Sequence, residues 1–273
     1  MLQIREEELE RLVAYVQKNV GINLREKRAL IEGRLSTVIS DRGYDSLHDY
    51  LNTVMADPTG REIFTLVDCL TTNHTYFMRE AEHFEFLRQR VLPELENRIR
   101  DRDLRIWSAG CSSGEEPYTL AMVLADHFGL RQNDWDTKIL ATDISEQVIR
   151  QAREGVYPAE ALDVIPPAWK QSFFKKNDGQ SYRISDRIKN EVLFRYFNLM
   201  ETSFPFRRRF HVIFCRNVMI YFDAETKAEL IEKFYQHLEV GGYLFIGHSE
   251  SIDRSRSAFQ YVMPAVYRKG EVR

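Results

Sequence analysis

Long apolar runs are missing from this 273-residue chain. No stretch approaches the roughly 20 residues a helix needs to cross a bilayer, so direct membrane insertion is not expected. Cysteine is scarce: Cys69, Cys111 and Cys215 are odd in number and share no paired metal spacing, which speaks against a disulfide framework and a cysteine-built metal site. They read as reduced thiols of a cytoplasmic protein. Positive charge is not in excess, since 38 Lys and Arg face 41 Asp and Glu for a net charge of -3, and general nucleic-acid binding loses its electrostatic basis. The opening residues, Met1 to Glu8, have neither a basic nor an apolar leader region, so no signal peptide is expected. Repeats and low-complexity tracts are absent. What remains, 44% hydrophobic and 29% charged, suits a globular protein with one large core or two modest ones.

The most informative stretch runs from Trp107 to Tyr118. Leu104 to Trp107 reads as a buried strand, and Tyr118, Leu120, Ala121, Val123 and Leu124 have helical spacing behind Pro117, a residue suited to an early helical position. Strand, glycine loop and helix open a nucleotide-binding βαβ unit, although the full Gly-x-Gly-x-x-Gly pattern is lacking. Glu115 and Glu116 stand where a pyrophosphate would meet the helix N-terminus, so a ligand without phosphates and with positive charge fits better. S-adenosylmethionine meets both conditions. The alternative is that the two acids merely complement the helix dipole.

Around this unit the chain divides. Residues 1–72 read as a small helical domain, with an apolar stripe from Leu9 to Val20 that stops at Gly21, a second helix over about Leu24 to Ser40, and two short helices split by Asp57-Pro58-Thr59-Gly60. Lys27 and Arg34, seven apart, lie on one flank of the second helix, either as a solvated face or as a surface for an acidic partner helix. Residues 73–103 form a linker and connecting helices. In its polar start, Thr71 to Glu80, hydroxyls, an amide and Arg79 can cap the next helix or hold a ligand. Residues 104–273 alternate strands and helices, with a second strand ending at Asp143, a position for a ribose contact or a helix N-cap. An extended loop is expected over Gly129 to Asp136. About 158–191 an antiparallel flap interrupts the alternation, its turn at Asn177-Asp178-Gly179. Later strands end at Asn198, Cys215 and Gly247. Since ligands in open parallel sheets bind beyond the strands' carboxyl ends, Gly110, Asp143, Asn198 and Asn217 should converge. His211 reads as a strand residue and His248 as a neighbour of the pocket.

Several of these stretches together resemble the CheR family of chemotaxis receptor methyltransferases. They are Thr71-Thr72-Asn73-x-Thr75, Phe77-x-Arg79-Glu80, Ala109-x-Cys111-Ser112-x-Gly114-Glu115-Glu116-Pro117-Tyr118, Ala141-x-Asp143-Ile144, Asn198-Leu199 and Cys215-Arg216-Asn217-Val218-x-Ile220-Tyr221-Phe222. The resemblance spans nearly the whole chain. It implies an α/β fold: a Rossmann-like methyltransferase sheet with an inserted antiparallel β-subdomain and a small all-α N-terminal domain. It also implies a reaction, esterification of glutamate side chains on the cytoplasmic helices of chemoreceptors by S-adenosylmethionine. By motif, cofactor contacts fall on Asn73, Thr75, Arg79, Glu116, Asp143, Asn198, Leu199, Arg216 and Asn217. Tyr221 matches the tyrosine near the transferred methyl. Asp143 would hold the ribose, Arg79 the methionine carboxylate, and the residues around Glu116 the amino end.

A glutamate with a model-peptide pKa near 4.3 is already ionised, so neither a general base, a covalent nucleophile nor a metal is expected, and Arg79 and Tyr221 would act by positioning. Some family members tether to a receptor's terminal peptide through the flap. The turn Asn177-Asp178-Gly179-Gln180 lacks their longer glycine-rich loop, so recognition through the helical domain and its Lys27/Arg34 flank is expected instead. Two rivals are weighed. A nucleic-acid methyltransferase would want an Asn/Asp-Pro-Pro-aromatic motif or a Pro-Cys nucleophile, and Cys215-Arg216-Asn217-Val218 is neither. A non-catalytic cofactor sensor would transfer nothing.

Overall fold

The computed structural model describes residues 4–58, 60–71 and 73–270, so Thr59 and Thr72 of the stretches above lie outside the described residues. Four helices come first: α1 (Glu6–Val20), α2 (Arg28–Asp41), α3 (Leu47–Ala56) and α4 (Glu62–Leu70). The stripe Leu9, Leu12, Val13, Val16 and Val20 of α1 is buried, and α1 ends on Gly21 in the left-handed region (φ 74°), whose N–H returns to Gln17. A Cβ there would lie 2.3 Å from Met200 Sδ, so glycine lets α1 dock tightly on the methyltransferase sheet. The second helix starts at Arg28, later than its apolar pattern suggests, because Leu24 to Lys27 form a turn. Lys27 therefore precedes the helix instead of sharing a helical flank with Arg34. Arg34 turns inward and donates to the carbonyls of Cys69 (3.2 Å) and Thr71 (2.7 Å), capping the end of α4.

A continuous helical rod follows, made of α5 (Ala81–Phe86), a π-helical turn (Leu87–Val91) and α6 (Leu92–Arg98). Pro93, in the first turn of α6, lacks an N–H and crowds the preceding turn, and the widened π turn accommodates it. Then come β1 (Ile106–Ala109), α7 (Glu115–Phe128), β2 (Ile139–Asp143), α8 (Glu146–Glu154), β3 (Val156–Pro158), α9 (Pro167–Phe173), β4 (Phe174–Lys176), β5 (Ser181–Ile184), α10 (Asp186–Lys189), β6 (Val192–Tyr196), β7 (Phe210–Cys215), α11 (Ala224–His237), β8 (Leu238–Ile246), β9 (Phe259–Met263) and β10 (Val266–Lys269). The first strand starts two residues later than its sequence suggests, and Gly129–Asp134 winds into a 3-10 helix where an extended loop was expected.

Seven strands form one sheet in the order β6-β2-β1-β7-β8-β10-β9. The first five run parallel and the closing β9–β10 hairpin is antiparallel. Chain order reverses between β1 and β7, which places the crevice for a ligand at their carboxyl ends. Both faces of β1 and β7 are buried, as expected of parallel strands covered on two sides. The face with Trp107, Ile213 and Leu244 joins α11 and the four N-terminal helices in one hydrophobic cluster. The face with Ile106, Val212 and Phe245 packs against α5 to α7 and the flap. The flap is a separate sheet, β3-β5-β4, and includes a strand at Val156–Pro158 just ahead of the expected insertion. Among the described residues no helix is long and apolar enough to cross a membrane.

Candidate functional site

A cleft opens at the crevice, with about 1050 Å³ of empty space reaching solvent. All ten residues singled out from the sequence line it: Asn73, Thr75, Arg79, Glu116, Asp143, Asn198, Leu199, Arg216, Asn217 and Tyr221.

The glycine loop forms the floor. After β1 the N–H groups of Gly110 and Cys111 both reach the Thr142 carbonyl, at 2.8 and 2.9 Å, so the loop is fastened to the next strand over. Gly110 takes φ 87°, and a Cβ there would come within 2.4 Å of Val218 Cγ2, so both backbone and space call for glycine. Ser112, itself left-handed at φ 49°, donates its N–H to Asp143 Oδ2 (2.8 Å). The other oxygen, Asp143 Oδ1, takes the N–H of Ser145 (3.0 Å), and Ser145 caps α8. Ser145, and not Asp143, is therefore the N-cap, and Asp143 holds the cap residue's own N–H. Burial holds its pKa above the usual aspartate value against these N–H donors.

The opposite end is built of paired charge. Arg216, 6% exposed, reaches Glu80 Oε2 with Nη2 (3.1 Å) and Glu116 Oε2 with Nη1 (3.3 Å), donates to the Arg79 carbonyl, and lies 5.2 Å from the Phe84 ring centre. Ser108 Oγ donates to Glu116 Oε1 at 2.7 Å. Of the two acids at the start of α7, Glu116 therefore faces the cleft and Glu115 takes the Ser113 hydroxyl (2.8 Å). Burial raises the Glu116 pKa, with Arg216 opposing it. For Glu80 burial is outweighed by Arg216 and the His248 N–H, and its pKa falls. Arg79 donates from Nη1 to the His74 carbonyl (2.8 Å) beside the Tyr76 ring. Among the described residues no side chain of the polar stretch caps α5, and Asn73, Thr75 and Arg79 line the cleft.

The third part is the segment after β7. Asn217 is left-handed (φ 59°), and its Oδ1 is buried without a hydrogen-bond partner. Glu250, which sequence reasoning passed over, organises this segment: its carboxylate accepts the N–H groups of Gly247 (2.6 Å), Asn217 (3.0 Å) and Ile220 (3.1 Å). The helical domain grips the same segment. Asn23 N–H donates to the Tyr221 carbonyl (2.8 Å), Ile22 bridges Phe222, and Lys27 Nζ stands 5.2 Å from the Tyr221 ring centre. Asn198 donates to the Asn19 carbonyl (2.8 Å) and takes the Met200 N–H. Glu80 stands within a matching stretch but without an assigned role, and Glu250 lies outside all of them, because their partners are distant in the chain.

The same division appears in comparison with known proteins. Residues 7–71 match the model of the CheR methyltransferase all-alpha domain, and residues 73–267 match that of the CheR methyltransferase SAM binding domain. The chain belongs to the CheR family. A chemotaxis protein methyltransferase of Borreliella burgdorferi is 43% identical over 272 residues, covering 98% of this chain and 96% of the relative. That of Salmonella typhimurium is 34% identical over 270 residues, covering 97% and 91%. The CheR assignment makes this an S-adenosylmethionine-dependent methyltransferase, and the cleft suits that cofactor. The cofactor brings an ammonium group and hydroxyl donors, and acceptors for both line the cleft in Glu116, Asp143 and the buried, unpartnered Asn217 Oδ1.

Proposed function

We propose that this protein esterifies glutamate side chains of chemoreceptors, in the cytoplasm, with the methyl group of S-adenosylmethionine, yielding glutamyl methyl esters and S-adenosylhomocysteine for adaptation in chemotaxis. Ten residues from separated segments lining one cleft at the strand tips carry the reading. Bound S-adenosylmethionine supplies an electrophilic sulfonium methyl. Asp143 holds the ribose hydroxyls and Arg79 the methionine carboxylate. Glu116 and Asn217 take the amino end, Asn198 and Leu199 border the base, and Asn73 and Thr75 close the wall. Arg216 holds Glu116 and the Arg79 backbone in place. Tyr221, fixed through its backbone, positions the incoming carboxylate, which is ionised and needs no base. The chain's contribution is orientation and exclusion of water, with effective molarities worth about 7–11 kcal/mol in favourable cases.

Receptor recognition falls to the helical domain. Lys27 beside Tyr221 meets the acidic substrate at the mouth, and Arg34 serves from inside by holding α4. Recognition proceeds without a peptide tether, since the flap turn is short and fastened on itself, Asp178 Oδ1 accepting the N–H groups of Gln180 (2.8 Å) and Ser181 (2.7 Å).

The test supplies methyl-labelled S-adenosylmethionine and a receptor cytoplasmic fragment, followed by alkali. Volatile labelled methanol is expected, because carboxyl methyl esters hydrolyse. Label that stays on the protein after alkali, or no transfer at all, would refute the reading.

A further inference from the structure

The helical domain does more than face a partner, because it walls one side of the cleft. Val20, Ile22, Val67, Asp68 and Thr71 all line it. Four of these are apolar or uncharged. Asp68, near the end of α4, is the exception: a half-buried carboxylate on the cavity wall.

Its surroundings are specific. The hydroxyl of Ser145, the residue that caps α8, and the guanidinium of Arg150 on α8 both lie within electrostatic reach of Asp68. It is also close enough to Asp143 for the two charges to repel. Both Asp143 oxygens already accept a backbone N–H, from Ser112 and Ser145. Two like charges side by side on a cavity wall are unfavourable unless hydrogen-bond donors come between them. The adenosine half of the cofactor carries three donor groups, two ribose hydroxyls and the exocyclic amine, which is more than Asp143 alone is placed to satisfy.

We infer that Asp68 is a cofactor-binding residue contributed by the helical domain, accepting a hydrogen bond from the adenosine half of S-adenosylmethionine. The inference rests on the placement of the ribose at Asp143 proposed above. It gives the N-terminal domain a share in cofactor affinity, separate from substrate recognition.

The experiment is calorimetric titration of the full chain with S-adenosylhomocysteine and with three analogues, the 2′-deoxy, the 3′-deoxy and the N6,N6-dimethyl compounds. Asp68→Ala should weaken S-adenosylhomocysteine about 10-fold, the loss expected for one hydrogen bond to a charged acceptor. Asp68→Asn, which keeps an acceptor oxygen, should fall between. With one of the three analogues the wild type and Asp68→Ala should bind equally, and that analogue names the donor. In turnover, the KM for S-adenosylmethionine should rise while kcat at saturation stays put. Equal binding of S-adenosylhomocysteine by wild type and Asp68→Ala would overturn the inference alone. So would an unchanged 10-fold loss across all four ligands, which is the signature of a merely structural contact with Ser145. Failure of the wild type to bind any of them would overturn the ribose placement as well.

Discussion

Two loops meet across the cleft, and they are held in opposite ways. The loop after β1 is fastened mostly to main chain: Gly110 and Cys111 bond to the Thr142 carbonyl of the adjacent strand, and Ser112 to the Asp143 carboxylate, 31 residues on. The segment after β7 is held by side-chain carboxylates, one of them far along the chain. Asn217 and Ile220 donate to Glu250, 33 and 30 residues on, and Arg216 pairs with Glu80, 136 residues away. Each loop holds one residue with a Cβ in the left-handed region, Ser112 in the first and Asn217 in the second, but the first adds glycine at its closest contact and the second relies on carboxylates alone. A loop fastened to main-chain carbonyls keeps its acceptors whatever side chains its neighbours carry. A loop fastened to carboxylates loses its geometry when one of them goes.

The largest effect should therefore come from Glu250→Ala. Three N–H groups lose their acceptor, each at about 1–3 kcal/mol when left unsatisfied. Misplacement of Asn217 and Tyr221 should lower kcat by about 100-fold. Glu250→Gln should recover part of this, since its amide keeps one acceptor oxygen but turns an NH2 onto donors. Transfer assays alongside urea denaturation check both variants. Wild-type turnover in Glu250→Ala would mean the carboxylate support is dispensable and the contrast between the loops false.

Gly110→Ala probes the loop held mostly to main chain. The left-handed backbone costs about 1–2 kcal/mol for a residue with a Cβ, and the new methyl would meet Val218 at 2.4 Å. Cofactor affinity should fall about 10-fold, measured by titration with S-adenosylhomocysteine. Adding Val218→Ala should restore the space and not the backbone term, so recovery is partial. Full recovery would show that the loops touch but that Gly110 has no conformational role.

Acid should sharpen the contrast with the smallest effect. His83, fully buried beside Glu80, has its pKa lowered from 6.5 to about 4 by burial and then by Arg216. Between these values the unfolded chain holds a proton that the folded chain does not, so stability is full above the unfolded pKa and falls as pH drops through the window. From pH 7 to about pH 4.5, wild type should lose about 2 kcal/mol relative to His83→Asn. Urea midpoints at the two pH values test this, and parallel curves would remove His83 from the support of the carboxylate-held segment.

This division also explains what was legible in the sequence. The flap turn at Asp178-Gly179 depends on residues close in the chain, and the glycine loop and Asp143 are marked by residue type at the ends of expected strands, although the bond that joins them spans 31 residues. The helical domain was legible from its apolar stripe, but the inward turn of Arg34 was not, because only the end of α4 gives it partners. Glu116 shows the same limit. Its place at a helix start suggested a positive partner in a ligand, and the fold supplies Arg216 as one, from a strand end 100 residues on. Glu250 and Asp68 left no local signature, since an isolated acid in a sequence looks like a solvated one until the backbone amides or the cavity around it are known.

The seam between the helical domain and the segment carrying Tyr221 runs through main-chain atoms, Asn23 N–H to the Tyr221 carbonyl and the bridge between Ile22 and Phe222. Peptide groups are common to nearly every residue, so such a join dictates the path of the chain and hardly its spelling. Side chains on the outward surface of the helical domain can thereby change while the segment beneath keeps its aim.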